Sequence, residues 1–148
     1  MSSAPVLEIY SHTAEEISTQ WLMAKASSVL NHCLEARGTE VPVLGELDEI
    51  EISLVDDEAI AQVHGQFLDD PTPTDVITFP HGEILVSVET AKKAGPEHDL
   101  NLREETLLYI IHGLLHLNGH TDLSEPERAE MHVAQDKILR IALDGSNV

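Results

Sequence analysis

Basic residues are scarce in this chain. Eight lysines and arginines stand against 27 aspartates and glutamates, a formal net charge of −19. A surface so acidic argues against broad electrostatic capture of a polyanion, because like charge slows the encounter. Cysteine is nearly absent too: Cys33 is the only one, so no internal disulfide forms, and a reducing, cytoplasmic setting is expected. We read Cys33 as a core thiol near a helix end. No apolar run reaches the roughly 18 residues of a membrane span. The opening Met1-Ser2-Ser3-Ala4-Pro5 has neither a basic segment nor an apolar core, so no secretory leader is expected. Internal repeats and low-complexity segments are missing as well.

The remainder fits one ordinary domain over residues 1–148. Hydrophobic residues make up 42% and charged residues 24%, enough for a sizeable core. The most apolar stretch, Thr106 to Leu117, reads as a buried helix and ends in His112-Gly113-Leu114-Leu115-His116-Leu117-Asn118-Gly119-His120-Thr121-Asp122. His112 and His116 are spaced i, i+4, so they share one helical face about 6 Å apart. An unpaired imidazole is costly to bury in so apolar a helix, which favours a grip on one divalent ion over an accidental pair. Gly119 tolerates positive φ and stops the helix. The chain then turns back to offer a third ligand, for which Asp122 and His120 are the candidates. Asp122 is favoured, because the glycine breaks the helix before His120 regains the face of His116. Three protein ligands plus an open position is the arrangement of a catalytic zinc.

Around this stretch the chain alternates strands and helices. Strands are expected over 6–10, 49–55, 75–80 and 83–88, the last two as a hairpin or closely linked pair. A helix is expected from a Thr13 cap through Ile17, Trp21 and Leu34 to a stop at Arg37-Gly38. A second follows Asp56-Asp57-Glu58 through Ile60 and Phe67. The segment 69–75 reads as a rigid turn set by Pro71 and Pro73, and 91–99 as a loop with the adjacent bases Lys92 and Lys93. The metal helix starts near Leu102, where Glu105 and Tyr109 follow the stripe of the two histidines. A last helix opens at Ser124-Glu125-Pro126-Glu127 and carries the apolar stripe Met131, Ala134, Ile138, Leu139 and Leu143, with His132 on its surface. The fold class is α+β: a mixed sheet of about four strands packed with helices, the metal-bearing helix central.

His-Gly-x-Leu-His-Leu-x-Gly over 112–119 resembles the signature of the YbeY family of bacterial rRNA-maturation endoribonucleases. Pro73-Thr74-Asp75-Val76-Ile77-Thr78-Phe79-Pro80 is similar to that family's Pro-Thr-Asp-Val-Leu-Ser-Phe-Pro, and Gly82-Glu83-Ile84 to its Gly-Asp-Ile. The resemblance runs roughly from Ile52 to Leu139. It implies a zinc site of zincin type, with His112 and His116 as ligands. Asp122 stands where the family places a third histidine. Phe67-Leu68 stands where the family has Tyr-Arg, so the guanidinium implicated in RNA cleavage is absent.

The resemblance implies a metal-dependent, single-strand-specific endoribonuclease that matures the 3′ end of small-subunit rRNA and serves ribosome quality control. The expected cofactor is one divalent metal, zinc foremost. By resemblance the partners are rRNA and the small ribosomal subunit; no membrane is involved, and a monomer is compatible with the sequence. His120, beside Asp122 and titrating near neutrality, is the candidate acid–base group. If His120 instead ligates the metal, Asp122 becomes the acid that orients a histidine ligand. Two alternatives remain. A metallopeptidase would use His-Glu-x-x-His with the glutamate as base, yet position 113 is glycine. A non-catalytic ribosome-associated module is favoured by the missing arginine and the acidic surface.

Overall fold

The computed structural model describes residues 4–69 and 74–144. The proline turn at 70–73, the first three residues, the tail 145–148 and the side chain of Leu68 lie outside that description. The chain runs β1 (Val6–Ser11), α1 (Thr19–Glu35), β2 (Glu49–Val55), α2 (Asp57–Leu68), β3 (Val76–Phe79), β4 (Glu83–Ser87), α3 (Val88–Ala94), α4 (Leu102–Leu117) and α5 (Glu125–Asp144). The strands form one mixed sheet in the order β1-β2-β4-β3. β1 and β4 flank β2 in parallel, and β3 closes the edge antiparallel to β4. This is the expected α+β class, with a tight turn joining β3 to β4.

Alternation along the strands sorts residues between two cores. Ile50, Ile52, Leu54, Ile84 and Val86 face the larger one, under α1 and α4. Val55, Ile77 and Leu85 face a smaller one with Ile60 of α2. α4 lies at the centre: it touches α1, α3, α5, β3 and β4. That explains its composition, since a helix covered on several sides is apolar nearly all round. Leu107, Ile110, Ile111, Leu114 and Leu115 are completely buried, each contributing about 1.5–3 kcal/mol. α4 starts at a capping box, in which Asn101 accepts from the Glu104 amide at 3.0 Å and Glu104 accepts from the Asn101 amide at 2.9 Å. No described helix is long and apolar enough to cross a membrane.

Two expectations are corrected. Helix α1 begins at a Ser18 cap, whose hydroxyl accepts from the Trp21 amide, and not at Thr13. Thr13 instead donates its hydroxyl to the Asp56 carboxylate, and the Ala14 amide follows it, so the segment is tied across to the start of α2. Residues 91–99 are not a loop. They hold most of α3 and a 3-10 turn, Gly95–His98. Ser87 caps α3, and Lys93 donates to Asp57 at 3.0 Å, so long-range partners supply what the local pattern left open. Ser124 does cap α5 as expected, accepting from the Glu127 amide.

Candidate metal centre and its groove

His112 and His116 stand one turn apart near the C-terminal end of α4, half-buried, with ring centroids 5.0 Å apart and planes at 81°. The first ring is oriented from outside its own helix. His112 Nδ1 donates to the side-chain oxygen of Gln135 on α5 at 2.8 Å, and Gln135 is itself buried. A ring that carries its proton on Nδ1 keeps its Nε2 lone pair free for a metal. His116 is prepared differently. Burial, aided by repulsion from His112, holds it below the ordinary histidine value. Asp122, a backbone hydrogen bond at His120 and the charge of Asp75 oppose this without reversing it. The neutral imidazole, the form that ligates, is therefore favoured.

The other two candidates take different places. Asp122 is exposed in the turn after α4, and its negative charge reaches His116. Its backbone carbonyl accepts from Arg128 at 3.2 Å. Among the described residues no three His, Cys, Asp or Glu side chains form a group able to hold a metal. The structure thus brings His112 and His116 together, with Asp122 acting on His116 through its charge. His120 turns the opposite way. It is 5% exposed, and its Nε2 donates to the Ala36 carbonyl at the end of α1 at 2.8 Å. Asn118 caps the same helix end, its amide donating to the carbonyls of Cys33, Leu34 and Ala36. The expected acid–base role of His120 meets a ring committed to closing α1. The reversal happens at Gly119, whose φ is +96° and where a Cβ would collide with the Glu40 carbonyl oxygen.

His112 opens on a groove of about 760 Å³ between α4, α5 and the 3-10 turn, lined also by His98, Tyr109, Gln135 and Arg140 among others. Under the groove, Glu105 is fully buried and both its oxygens lie 3.0 Å from His98 Nδ1. Tyr109 is pushed up by burial first, then by the charge and hydrogen bond of the same carboxylate.

Residues 8–142 match the sequence profile of the family described as Endoribonuclease YbeY. The chain belongs to the YbeY family. An endoribonuclease YbeY of Protochlamydia amoebophila is 40% identical over 99 residues, covering 60% of this chain and 66% of that protein. One from Rhodopirellula baltica is 35% identical over 137 residues, covering 78% and 71%. A Thermotoga maritima protein solved in solution shares the fold, with a TM-score of 0.62 at 23% identity over 93% of this chain and 91% of that one.

In this YbeY chain the glycine of the His-Gly-x-Leu-His motif has a steric reason. A Cβ on Gly113 would lie 3.0 and 3.2 Å from the Ile84 side chain and 3.3 Å from that of Thr78. The helix rests directly on β3 and β4, so a glutamate at this position, as in a zinc peptidase, would press on both strands' side chains. Sequence reasoning did not find Gln135 or His98. Gln135 lies 23 residues beyond its partner, with no spacing to announce it. His98 sat in a stretch read as loop.

Proposed function

We propose that this chain is a zinc-dependent endoribonuclease acting on single-stranded rRNA, in the 3′ end maturation of the small subunit and in ribosome quality control, in the cytoplasm. The observation that carries the metal part is the pair of imidazoles 5.0 Å apart on α4, one with its outer nitrogen held by Gln135. The nuclease part rests on family membership. The donor set suits a divalent ion: burial keeps His116 neutral, the Gln135 hydrogen bond leaves the His112 Nε2 free, and Asp122, exposed in the turn that follows α4, would have to swing toward the pair to complete the set. A bound zinc lowers the pKa of its water and polarises a phosphoryl oxygen. The chain's own residues do the rest. Gln135 keeps His112 in the ligating tautomer, the groove receives the strand, and Arg140 contacts a phosphate. rRNA and the small ribosomal subunit are the proposed partners.

The peptidase alternative loses ground to Gly113, which carries no carboxylate to act as the base it needs and packs tightly against Ile84 and Thr78. The test is cleavage of a single-stranded rRNA 3′ fragment by the metal-loaded protein beside a His116→Ala variant. Cutting by the parent alone supports the reading. Equal cutting by both, or by neither, removes it.

A further inference from the structure

The groove that His112 lines contains a second histidine backed by a buried acid. His98 ends the 3-10 turn, and its ring is 54% exposed while the Glu105 side chain behind it is 0% exposed. Both carboxylate oxygens stand 3.0 Å from His98 Nδ1. A carboxylate withdrawn from water is costly to keep charged unless a cation or strong donor meets it. This arrangement fixes the proton on Nδ1 and leaves Nε2 on the exposed side of the ring. A buried carboxylate orienting an imidazole whose far nitrogen meets substrate is a recurrent acid–base device. A plain tie between the turn and α4 would need no opening into a cavity, yet His98, Tyr109 and His112 line one groove.

We propose that His98, oriented by Glu105, donates the proton to the departing 5′ oxygen when a phosphodiester is cut in this groove. The inference rests on the nuclease reading above. In the step, a lone pair of the attacking oxygen forms the new P–O bond. The P–O5′ bond breaks with its electron pair passing to O5′. The Nε2 proton moves to that oxygen, the nucleophile's proton goes to solvent, and the neutral ring takes up a proton from water before the next turnover. The surroundings favour a charged ring. The Glu105 hydrogen bond raises His98 above its ordinary value; partial burial opposes this, and the charges of Glu105 on α4, Glu97 on its own turn and Asp136 on α5 add to the rise. Among the described residues lining the groove, Arg140 is the only lysine or arginine.

The experiment compares two substrates on the metal-loaded protein. One is a single-stranded RNA oligonucleotide; the other carries a bridging 5′ sulfur at the bond the parent cuts. A thiolate leaves without a proton. His98→Gln is expected to slow the oxygen substrate by about 10²- to 10⁴-fold and the sulfur substrate by far less, and Glu105→Gln to move the same ratio in the same direction. In the parent itself, the fall of kcat/KM at high pH is expected with oxygen and not with sulfur, a readout that needs no variant to fold. Equal slowing of both substrates, or none, overturns the proposal. So does a parent profile that is identical for the two substrates. A folded parent that cuts no RNA at all sinks the nuclease reading and this inference with it. A parent that cuts while His98→Gln cuts equally well sinks this inference alone.

Discussion

At the scale of single residues, the candidate centre sets His112, which faces the groove, against His120, which is turned into the fold. His112 is held by one neutral hydrogen bond to Gln135. Removing such an outer partner typically costs 10- to 100-fold in metal affinity. Gln135→Ala is therefore expected to weaken zinc binding by roughly that factor, and His116→Ala to abolish tight binding, as read by titration calorimetry. Unchanged affinity in both would mean the ion binds elsewhere. Two glycines carry structural predictions. Gly119→Ala puts a Cβ on a residue at φ +96° and against the Glu40 carbonyl, which is expected to cost more than about 1 kcal/mol. Gly113→Ala presses on Ile84 and Thr78, an overpacking of roughly 1–3 kcal/mol. Urea denaturation of the two variants checks both figures, and parent-like midpoints would contradict the packing described.

At the scale of elements, two joints between helices respond to pH with opposite signs. Asp57, at the start of α2, accepts from Ser87 at 2.5 Å, Thr90 at 2.7 Å and Lys93 at 3.0 Å. Burial alone would raise its carboxyl, yet these hydrogen bonds hold it below the ordinary aspartate value. A depressed folded value gives stability that is present above the unfolded value of about 3.9. That stability disappears as pH falls through the lower folded value. Asp57→Asn is expected to flatten the acid limb of a stability–pH curve measured by thermal unfolding. The His98–Glu105 joint works the other way: a raised histidine stabilises fully below about pH 6.5 and loses its contribution as pH rises through the raised folded value. The same elements show what could be read from the chain. α4, its stop at Gly119 and the strands on either side were legible because apolar period and capping residues are local signals. The true start of α1, the helical α3 and the strand order were not, since Asp56, Asp57 and the sheet partners lie far away in sequence. Of the site, the i, i+4 histidines were visible. The fate of His120 was not, because its ring answers to Ala36, 84 residues earlier.

At the scale of the whole molecule, the charge of −19 sets how RNA arrives. A protein that binds single strands through several cations loses affinity as salt rises, with a logarithmic slope of about −0.7 per phosphate neutralised. Arg140 is the one lysine or arginine among the described residues lining the groove, so the attractive part amounts to about one such contact. Against it stands the repulsion of the net charge, which acts over about 30 Å at 0.01 M ionic strength and only about 8 Å at 0.15 M. Repulsion should win at low salt. The value of kcat/KM for a short single-stranded RNA is therefore expected to rise between those two salt concentrations, where most polyanion-binding enzymes decline. Thermal stability should rise over the same interval, because screening also relieves repulsion within the folded chain. A steep fall of kcat/KM with salt would contradict this account, for it would require a cluster of cations at the RNA path that the described groove does not contain. Arg140→Gln then separates the two terms: it should lower kcat/KM at every salt concentration and make the rise with salt steeper.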